Sequence, residues 1–520
     1  MAPRSIAVLG GGLTGLSSAF HLARKFPACQ INLLEMQPRL GGWVQTKRVD
    51  IPAVGTSVVL EGGPRTLQPR GKSVLELINI LGLKDKLLRI PNIAASAKAR
   101  YVYIPPSYNL QLSGLQRLPS SFASFLVSPF APIFIPGGIR DLFTRWNRSP
   151  DKLDESVHSL LSRRFGETIA LMLGSALVHG VYAADSRRLS VKAAFPILLA
   201  AEERGGGSVV RGLLFSSQKK NQVNESYEFG GLEDYMRNTA VYSFKDGMAT
   251  LTKAIEDHLM TIPNVNIVKE TQILSVNQLD DQSLQITHTS GNPIHTTHAV
   301  SALPLLTLHS LLTKSSNANL YLPHLQTNPT SSVQVVNLVF PCPPIDVHPE
   351  GFGYLIPRPP SGYPSDLEKS SAGILGTVFD SCSLHEQDTP STQDYYRAAP
   401  YTKLTVMVGG PYPRRPLPED FSSIANTTAE APEYIRRILQ ELQVHLKRDL
   451  PNPVYWRVWN NEDCIPTMLP GHVERVRELK SALEKNWGGR LAVVSSGVGG
   501  VSVPDCVEAG RQVGSDWEEF

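Results

Sequence analysis

The chain has 520 residues, of which 42% are hydrophobic and 19% charged, so wholesale disorder is excluded. At about 150 residues per domain, this length predicts about three domains, each able to bury a core. The net charge of +3, from 50 basic and 47 acidic residues, is too balanced for a polybasic nucleic-acid-binding protein. The five cysteines are odd in number and include no CxxC pair, which argues against a disulfide framework and a zinc site.

The first 35 residues have the pattern strand, glycine turn, helix, strand. Residues 6–9 are apolar and predict a buried strand, and the apolar residues of 13–23 fall on one face of a helix. Residues 31–35 predict the second strand. No basic and apolar leader precedes the first strand, so we expect no cleavable signal peptide.

Gly10-Gly11-Gly12-Leu13-Thr14-Gly15 fits the dinucleotide-binding motif GxGxxG at the first turn. Gly10 allows the tight turn, Gly12 lets the backbone approach a pyrophosphate, and Gly15 lets helix and strand pack closely. The free N–H groups at the helix N-terminus favour phosphate binding. Glu35, 20 residues after Gly15, can bind ribose hydroxyls, so the segment predicts a dinucleotide site.

Three further segments bear on the cofactor. The glycine pair in Arg39–Trp43 lies just past Glu35 and favours FAD over NAD, while Trp43 itself fits either a cofactor contact or an ordinary core position. The rigid loop Glu61–Arg65 carries an arginine that could hold a phosphate, hold a carboxylate or lie on the surface. Near the C-terminus, the glycine-rich loop Ser495–Val503 precedes a helix, where a flavin could approach the backbone.

The usual motifs of protein-based catalysis are missing. We find no GxSxG, HExxH or P-loop, and His295 and His298 lack the acidic or thiol companion that a metal site needs, so no metal is predicted. The chemistry is therefore expected to belong to the cofactor, with the protein supplying the pocket.

Residues 118–139 contain no charged residue, although four prolines at 119, 129, 132 and 136 predict that no helix runs through them. The stretch carries a concentrated apolar load: Phe122, Phe125, Leu126, Phe130, Phe134 and Ile135. Two interpretations stay open, a surface that dips into a membrane without crossing it and a proline-rich loop packed on the core. No run of 18 apolar residues is free of helix breakers, so a membrane-spanning helix is not expected.

These segments together resemble the protoporphyrinogen oxidase family of the flavin amine-oxidase superfamily, in its mitochondrial eukaryotic form, with insert lengths that resemble those of fungal members. The resemblance runs over nearly the whole chain. The start of the chain is shared by the whole superfamily, and the more specific matches are Glu61–Arg65, Arg100–Tyr103, Gly180–Ala183, Gly351–Leu355, Thr405–Gly410, Cys464–Pro466 with Gly471-His472, and Gly500–Cys506 through Gly510–Gln512.

The resemblance implies an FAD-dependent oxidation of protoporphyrinogen IX to protoporphyrin IX, the penultimate step of haem biosynthesis, with molecular oxygen as acceptor and hydrogen peroxide as by-product. It implies that the flavin is held without a covalent bond, since Cys506 lies in a segment that matches a non-covalent family. The FAD contacts carried over are Gly10, Gly11, Gly12, Leu13, Thr14, Gly15, Glu35, Met36, Trp43, Gly63, Pro64, Arg65, Thr66, Ile273, Ser496, Val501, Ser502 and Val503. The acidic residue common in the C-terminal flavin loop of the wider superfamily is absent at Ser495–Gly497, which puts that generic contact in doubt.

The substrate contacts carried over from the family are five. Arg100 matches the arginine that pairs with a substrate propionate, and Gly180 matches the residue whose carbonyl lies near the pyrrole N–H groups. Phe352, Leu355 and Met407 match the apolar walls around the macrocycle. A tetrapyrrole needs such an apolar slot with a guanidinium at its carboxylate end. No residue is expected to act as an acid or base, because electron loss to flavin needs placement above all.

The implied fold is α/β, with a Rossmann-like FAD-binding domain, a mixed-sheet substrate domain and a helical membrane-facing domain. The FAD domain is expected from residues 1–90, 226–304 and 451–520, the substrate domain from 91–115 and 305–450, and the helical domain from 116–225. The resemblance places the protein on the surface of the inner mitochondrial membrane. It suggests a homodimer and a hand-off of product to ferrochelatase, with no nucleic-acid partner.

Two rival functions remain open on the sequence. The first is another flavin amine-oxidase relative, such as an amine oxidase or a carotenoid desaturase, whose cationic or neutral substrates would give Arg100 no partner. The second is a non-enzymic escort protein on the same fold, resembling the GDP-dissociation inhibitors, which a yellow purified protein with a flavin spectrum would exclude.

Overall fold

A computed structural model describes residues 4–517 with gaps at 109, 111, 122–123, 126, 145–147, 149–152, 215–226, 280, 282, 314–320, 367–370, 389–394, 415–421 and 425–431. Phe122 and Leu126 of the uncharged stretch therefore lie outside the described residues. The strands are β1 (Ser5–Leu9), β2 (Gln30–Leu34), β3 (Thr46–Ile51), β4 (Thr56–Glu61), β5 (Leu87–Pro91), β6 (Tyr101–Ile104), β7 (Gly114–Arg117), β8 (Thr239–Phe244), β9 (Val265–Val268), β10 (Ile273–Gln278), β11 (Leu284–His288), β12 (Ile294–Thr296), β13 (His298–Ser301), β14 (Thr330–Phe340), β15 (Gly353–Leu355), β16 (Ile374–Val378), β17 (Thr402–Gly409), β18 (Ser422–Ile424), β19 (Tyr455–Pro466) and β20 (Leu491–Val493).

The helices of the described residues are α1 (Leu13–Lys25), α2 (Lys72–Ile80), α3 (Ala95–Lys98), α4 (Ala131–Phe143), α5 (Val157–Phe165), α6 (Glu167–Ile169), α7 (Ser175–Tyr182), α8 (Val191–Ala194), α9 (Pro196–Arg204), α10 (Val209–Leu214), α11 (Leu232–Tyr235), α12 (Ala249–Met260), α13 (Leu305–Leu312), α14 (Pro344–Val347), α15 (Asp380–Ser383), α16 (Tyr395–Ala398), α17 (Glu433–Leu446), α18 (His472–Trp487), α19 (Ser496–Gly499) and α20 (Val503–Gln512). A single π-helical turn, Ala170–Gly174, joins α6 to α7.

A five-stranded parallel sheet in the order β20-β13-β1-β2-β9 forms the first unit, which carries the glycine turn. Residues 6–9 of β1 are all buried, as expected for an apolar strand covered on both faces by helices. Helix α1 packs on one face together with α20 near the C-terminus, where Ser17 Oγ donates a hydrogen bond to the carbonyl oxygen of Val507 at 2.8 Å. The first and last parts of the chain therefore meet at the glycine turn after β1.

An eight-stranded sheet in the order β18-β19-β14-β17-β16-β15-β6-β7 forms the second unit. Only the β15–β6 pair among these is parallel, so the sheet is mixed. One face packs on helix α17, whose Ile435, Ile438 and Leu442 are fully buried against alternate residues of β14 and β17. The opposite face, called here the site face, carries Lys403, which donates a hydrogen bond to the Val59 carbonyl of hairpin β3–β4.

Between β7 and β8 the described part of the chain is helical, from α4 to α11. The prediction that prolines break residues 118–139 is wrong for the second half, since α4 begins at Ala131 with Pro132 in its first turn and Pro136 inside. Pro132 costs nothing there, because N–H groups in a first turn have no helical partner. The helix is anchored further along by Asp141, which pairs with the fully buried Arg164 at 2.6 Å and accepts a hydrogen bond from the Ser208 hydroxyl. The mixed α/β fold predicted from the sequence is confirmed.

Candidate active site

The cofactor cradle consists of the glycine turn 10–12 and the glycine pair 41–42, which face each other across a narrow gap. The Gly41 N–H donates to the Gly11 carbonyl at 2.8 Å, so the two turns are hydrogen-bonded together. A Cβ added to Gly42 would lie 3.1 Å from the Gly12 Cα, whereas one added to Gly12 would meet only the Gly42 Cα, at 3.9 Å. The space beside Gly12 is therefore open, and it fits a pyrophosphate that approaches the backbone.

Gly15 has a different reason to be glycine. A Cβ there would lie 1.9 Å from the carbonyl oxygen of Gly10, so any side chain would push helix α1 off the turn. Gly10 itself has a φ of +97°, which favours glycine in the tight turn. The N-cap residue of α1 is Gly12, and no side chain of the described residues caps this end of the helix. The N–H groups of Leu13 and Thr14 therefore remain available to an anion.

The Glu35 carboxylate is held at the end of β2 by two backbone groups. Its Oε2 accepts from the Gly11 N–H at 2.7 Å and its Oε1 from the Gln37 N–H at 2.8 Å. Each oxygen keeps a lone pair for a ribose hydroxyl. Met36 and Trp43 are exposed, which for Trp43 excludes the ordinary core position. The predicted contacts Gly11, Glu35, Met36 and Trp43 thus lie around one cradle.

The loop after β4 connects the cradle to the second sheet. A Cβ on Gly63 would lie 2.2 Å from the Trp43 carbonyl oxygen, so Gly63 packs against the backbone that directly follows the second glycine pair. Of the three interpretations of Arg65, the structure shows the carboxylate: its guanidinium lies 3.5 Å from Asp380, and both side chains are buried. Thr66 follows at an intermediate depth.

Glu61 begins this loop as a buried carboxyl group. It accepts hydrogen bonds from the Thr46 hydroxyl at 2.7 Å and from the Met248 N–H at 2.8 Å. Burial raises its pKa to about 7, against the opposing effects of these two donors and of the nearby Arg65 and Lys403. Its protonation state therefore changes near neutral pH beside the cofactor loop.

The remaining predicted cofactor residues come from distant segments. Ile273 opens β10 and is buried with Leu9 and Leu34, close to the end of the parallel sheet where Glu35 lies. Ser496 begins α19, and the loop 501–503 leads into α20. Ser502 caps that helix, since its hydroxyl accepts from the Asp505 N–H while the Asp505 carboxylate accepts from the Ser502 N–H. Because α20 packs on α1, this loop lies at the same end of the molecule as the glycine turn.

Two of the three apolar walls predicted for the substrate, Leu355 and Met407, belong to one row across the site face. The third, Phe352, lies outside this row and packs with Leu88, Ile90 and Val241. Residues directly opposite each other on neighbouring strands point to the same face of a sheet. The register pairs give a continuous line, called here the sheet row: Val102, Leu355, Gly376, Met407, Val335 and Trp459. Gly376 has no side chain, and the Leu355 side chain fills the space above it, since a Cβ added to Gly376 would lie 2.9 Å from the Leu355 Cδ2. The sheet row is thus a continuous apolar floor.

Gly180 on α7 lies over one end of the sheet row. A Cβ added to it would lie 2.6 Å from the Leu355 Cδ2, so no side chain fits between helix and strand. Helix α7 ends at Tyr182 because Ala183 adopts the left-handed conformation, with a φ of +46°. In the described part of the chain, no N–H or O–H group donates to the Gly180 carbonyl, one of the last carbonyls of the helix. That oxygen can accept a hydrogen bond from a ligand.

Arg100 and Phe352 lie together just before the strands β6 and β15. The Arg100 guanidinium carbon is 5.6 Å from the centre of the Phe352 ring, and the Phe352 N–H donates to the Ala99 carbonyl at 2.8 Å. Arg100 is exposed, so its guanidinium is free to turn toward a carboxylate. Of the five predicted substrate residues, Leu355 and Met407 therefore lie on the sheet row, Gly180 lies on the helix against it, and Arg100 and Phe352 lie just before two of its strands.

Sequence reasoning missed the residues that join the cradle to the sheet row. A Cβ on Gly62 would lie 2.5 Å from the Trp459 indole, so the cofactor loop rests on the end of the row. Beneath it, hydrogen bonds run from Trp459 Nε1 to Asn337, from Asn337 to Thr405 and from Thr405 to Asp380, at 2.7, 2.9 and 2.5 Å. Asp380 is also the partner of Arg65, so this series of hydrogen bonds leads from Trp459 back to the loop that carries Gly62. These hydrogen-bonded pairs lie between 25 and 315 residues apart in the sequence, so no local pattern predicts them.

Comparison with known proteins agrees with this geometry. Residues 13–513 match the family described as flavin containing amine oxidoreductase. Protoporphyrinogen oxidase of Schizosaccharomyces pombe is 34% identical, over 98% of this chain and 97% of that protein. The chain therefore belongs to the flavin-containing amine oxidoreductases, and within them to the protoporphyrinogen oxidases.

Two further relatives extend the comparison. Human protoporphyrinogen oxidase is 28% identical over 98% of this chain and 97% of that protein. Among solved structures, a putative protoporphyrinogen oxidase from Exiguobacterium shares the fold, with a TM-score of 0.72, 21% identity and 99% of each chain covered. The chain is thus an oxidase of a family that uses flavin, and the predictions of family and enzyme class are confirmed.

Proposed function

We propose that the protein oxidises protoporphyrinogen IX to protoporphyrin IX with FAD as cofactor and molecular oxygen as acceptor, in haem biosynthesis. The observation that carries the proposal is the sheet row, an apolar floor that runs from the cofactor loop at Trp459 to Leu355, against which Gly180 packs. A flat, apolar macrocycle with inward N–H groups fits a floor of this kind. The names of the relatives point to the same substrate class.

The residues of the chain act by placing the substrate. Leu355 and Met407 serve as apolar walls on either side of Gly376, and Gly180 accepts a pyrrole N–H hydrogen bond through its carbonyl. Arg100 pairs with a propionate at the rim. A bound flavin would supply the electron acceptor, for two electrons in each of three rounds, and oxygen would reoxidise it to give hydrogen peroxide.

The FAD would be held by the cradle. Its pyrophosphate fits beside Gly12 and at the N-terminus of α1, and its ribose fits at Glu35. We further propose that the attachment is non-covalent, because burial raises the pKa of the Cys506 thiol and so keeps it from acting as a thiolate nucleophile. Acid precipitation should leave all yellow colour in the supernatant, and flavin that stays with the pellet would contradict the proposal.

The direct test is turnover. Purified protein in air should convert protoporphyrinogen IX to fluorescent protoporphyrin and should release three molecules of hydrogen peroxide per porphyrin. Primary amines and carotenoids should give no flavin-dependent product. A yellow protein that oxidises an amine faster than the porphyrinogen would favour the amine-oxidase alternative.

We also propose that the helical region docks on a membrane without crossing it. Among the described residues, no helix is long and apolar enough to span a bilayer. Helix α4 instead exposes Ile135, Ile139 and Phe143, spaced four residues apart on one side. Leu177 and Val181 on α7 are likewise exposed, on the helix that carries Gly180. This apolar helical surface supports the interpretation of residues 118–139 as a docking surface.

The structure revises which aromatic residues belong to that surface. Phe130 is fully buried, 5.8 Å from the Phe134 ring centre, and packs with Val102 and Met172. Replacing it would damage the core and leave the surface unchanged. The test therefore uses Ile135→Gln, Ile139→Gln and Phe143→Gln combined, with Ile93→Gln, an exposed apolar residue elsewhere, as control. The triple variant should lose flotation with phosphatidylcholine–cardiolipin vesicles and keep its flavin, and unchanged flotation would contradict the proposal.

Location and assembly follow from the same proposal. We place the protein on the inner mitochondrial membrane, where an apolar product can pass directly to ferrochelatase, and propose that it acts as a homodimer. Subcellular fractionation, chromatography with light scattering and a porphyrin-transfer assay with purified ferrochelatase test these three points separately. Recovery of the protein in another organelle, a monomer at micromolar concentration or transfer no faster than diffusion would contradict each in turn.

A further inference from the structure

Helix α7 carries Gly180, one wall of the proposed slot. Among the residues described on either side of α7, no regular helical turn fixes its position. The turn before it is π-helical, and Ala183 after it lies in the left-handed conformation that non-glycine residues rarely adopt. The distance between Gly180 and Leu355 leaves no room for a methyl group. Something outside the helix must therefore set its position on the sheet.

The loop that follows β15 supplies the contacts. His179 is buried, with Nδ1 2.7 Å from the Ile356 carbonyl oxygen and Nε2 2.7 Å from the Tyr363 hydroxyl. One helical turn earlier, Ser175 Oγ accepts from the Arg358 N–H at 2.8 Å. Two residues on one side of α7 are thus hydrogen-bonded to the loop that begins directly after Leu355.

The partners of His179 determine its protonation. A carbonyl oxygen can only accept, so Nδ1 carries the proton and donates to Ile356, while Nε2 accepts from the Tyr363 hydroxyl. Burial lowers the pKa of His179 to about 4, so the ring is neutral under ordinary conditions. Tyr363 is fixed in turn by an edge-on contact with Tyr412, 5.0 Å between ring centres. The imidazole therefore has one orientation and one tautomer.

We propose that His179 is a positioning residue for oxidation of the tetrapyrrole: it fixes helix α7, and with it the Gly180 carbonyl, relative to Leu355. Ile356 is the neighbour of Leu355, so the same hydrogen bond locates both walls of the slot relative to each other. The proposal rests on the proposed function, since it takes Gly180 and Leu355 as substrate walls. A misplacement of the reacting carbon relative to the flavin by about 1 Å can cost about 100-fold in rate.

The experiment compares graded variants. His179→Leu removes both hydrogen bonds, His179→Asn keeps a donor for Ile356 and loses Tyr363, and Tyr363→Phe removes only the second bond. Anaerobic stopped-flow mixing with protoporphyrinogen gives the limiting rate of flavin reduction, and a Soret-band titration gives protoporphyrin affinity. We expect His179→Leu to lower the limiting rate about 10- to 100-fold, His179→Asn to restore part of it and both to keep their flavin. Protoporphyrin affinity should fall more in His179→Leu than in His179→Asn.

The control is His445→Leu on the opposite face of the sheet. His445 is also buried and lies 3.0 Å from a tyrosine hydroxyl, that of Tyr354, the other neighbour of Leu355. It should lower the melting temperature as much as His179→Leu and leave the rate near wild type. If the two leucine variants melt alike and reduce flavin alike, His179 is merely structural and the inference is wrong. If the wild type itself fails to reduce its flavin, the proposed function fails instead. Should His179→Leu not fold, His179→Asn and Tyr363→Phe give the same comparison.

Discussion

The cofactor cradle and the sheet row differ in how the chain builds them. The cradle uses backbone groups within residues 10–42, and the glycines of its two turns contribute no side chains. The sheet row uses side chains of five strands that lie between residues 102 and 459. A site made of local backbone leaves a motif in the sequence, whereas a site made of distant side chains appears only when the register of the sheet is known.

The largest effect is expected at Gly15 in the cradle. Gly15→Ala places a Cβ 1.9 Å from the Gly10 carbonyl oxygen, and the helix must move to relieve the contact. We expect a cost of more than about 4 kcal/mol in the free energy of unfolding, enough to leave little soluble protein. Soluble yield and thermal melting measure this, and a variant that melts within a few degrees of wild type would contradict it.

Gly12→Val separates the cofactor from the fold. The backbone at Gly12 has a φ of −66°, which any residue adopts, and its Cβ would meet only the Gly42 Cα at 3.9 Å. The side chain would instead occupy the place of the pyrophosphate. The variant should be soluble, colourless and inactive, as measured by flavin absorbance and circular dichroism. Flavin content equal to wild type would show that the pyrophosphate lies elsewhere.

Arg65→Ala tests the link between the two regions. It leaves Asp380 buried without its cation, which we expect to cost about 3–5 kcal/mol in the free energy of unfolding. The control Arg65→Met with Asp380→Leu removes both charges and should recover most of that loss. Denaturant unfolding measures all three proteins, and a single variant as stable as wild type would mean that the ion pair does not join the loop to the sheet.

Arg100→Ala addresses the rim of the sheet row. A substrate carboxylate left unpaired should cost about 2–4 kcal/mol in transition-state binding, or about 30- to 1000-fold in kcat/KM. The flavin content should not change, because Arg100 lies outside the cradle, and Arg100→Lys should restore only part of the loss. The decisive comparison uses the diacid and its dimethyl ester, since equal slowing of both would show that Arg100 has no role at the carboxylate.

Glu61 gives the smallest expected effect, a pH dependence of stability. Its pKa of about 7 in the fold lies above the ordinary 4.5, so the folded state binds the proton more tightly than the unfolded state. The corresponding stability is present below about pH 4.5 and lost as the pH rises through 7, by at most about 3 kcal/mol. Glu61→Gln should reduce this decline between pH 5 and pH 8 in thermal melts. An identical pH profile in both proteins would contradict the assignment.

The sequence predicted the cradle because its requirements are local. GxGxxG, Glu35 and the glycine pair at 41–42 lie where their spacing indicated, around one turn. The partner of Arg65 was not predictable, since Asp380 follows 315 residues later. The helix through Pro136 was missed because its anchor, the Asp141–Arg164 pair, is tertiary and outweighs local propensity. The free carbonyl of Gly180 depends on the left-handed Ala183, which composition does not reveal.

The central claim is that the sheet row delivers a porphyrinogen to a flavin held in the cradle. Anaerobic mixing of the purified holoprotein with protoporphyrinogen IX tests it most directly, because no other acceptor is present. We expect the flavin absorbance to bleach in one turnover. Admission of air should restore it, and porphyrin should accumulate. The central claim would be contradicted if the flavin of the wild type stayed oxidised and Arg100→Ala gave the same result.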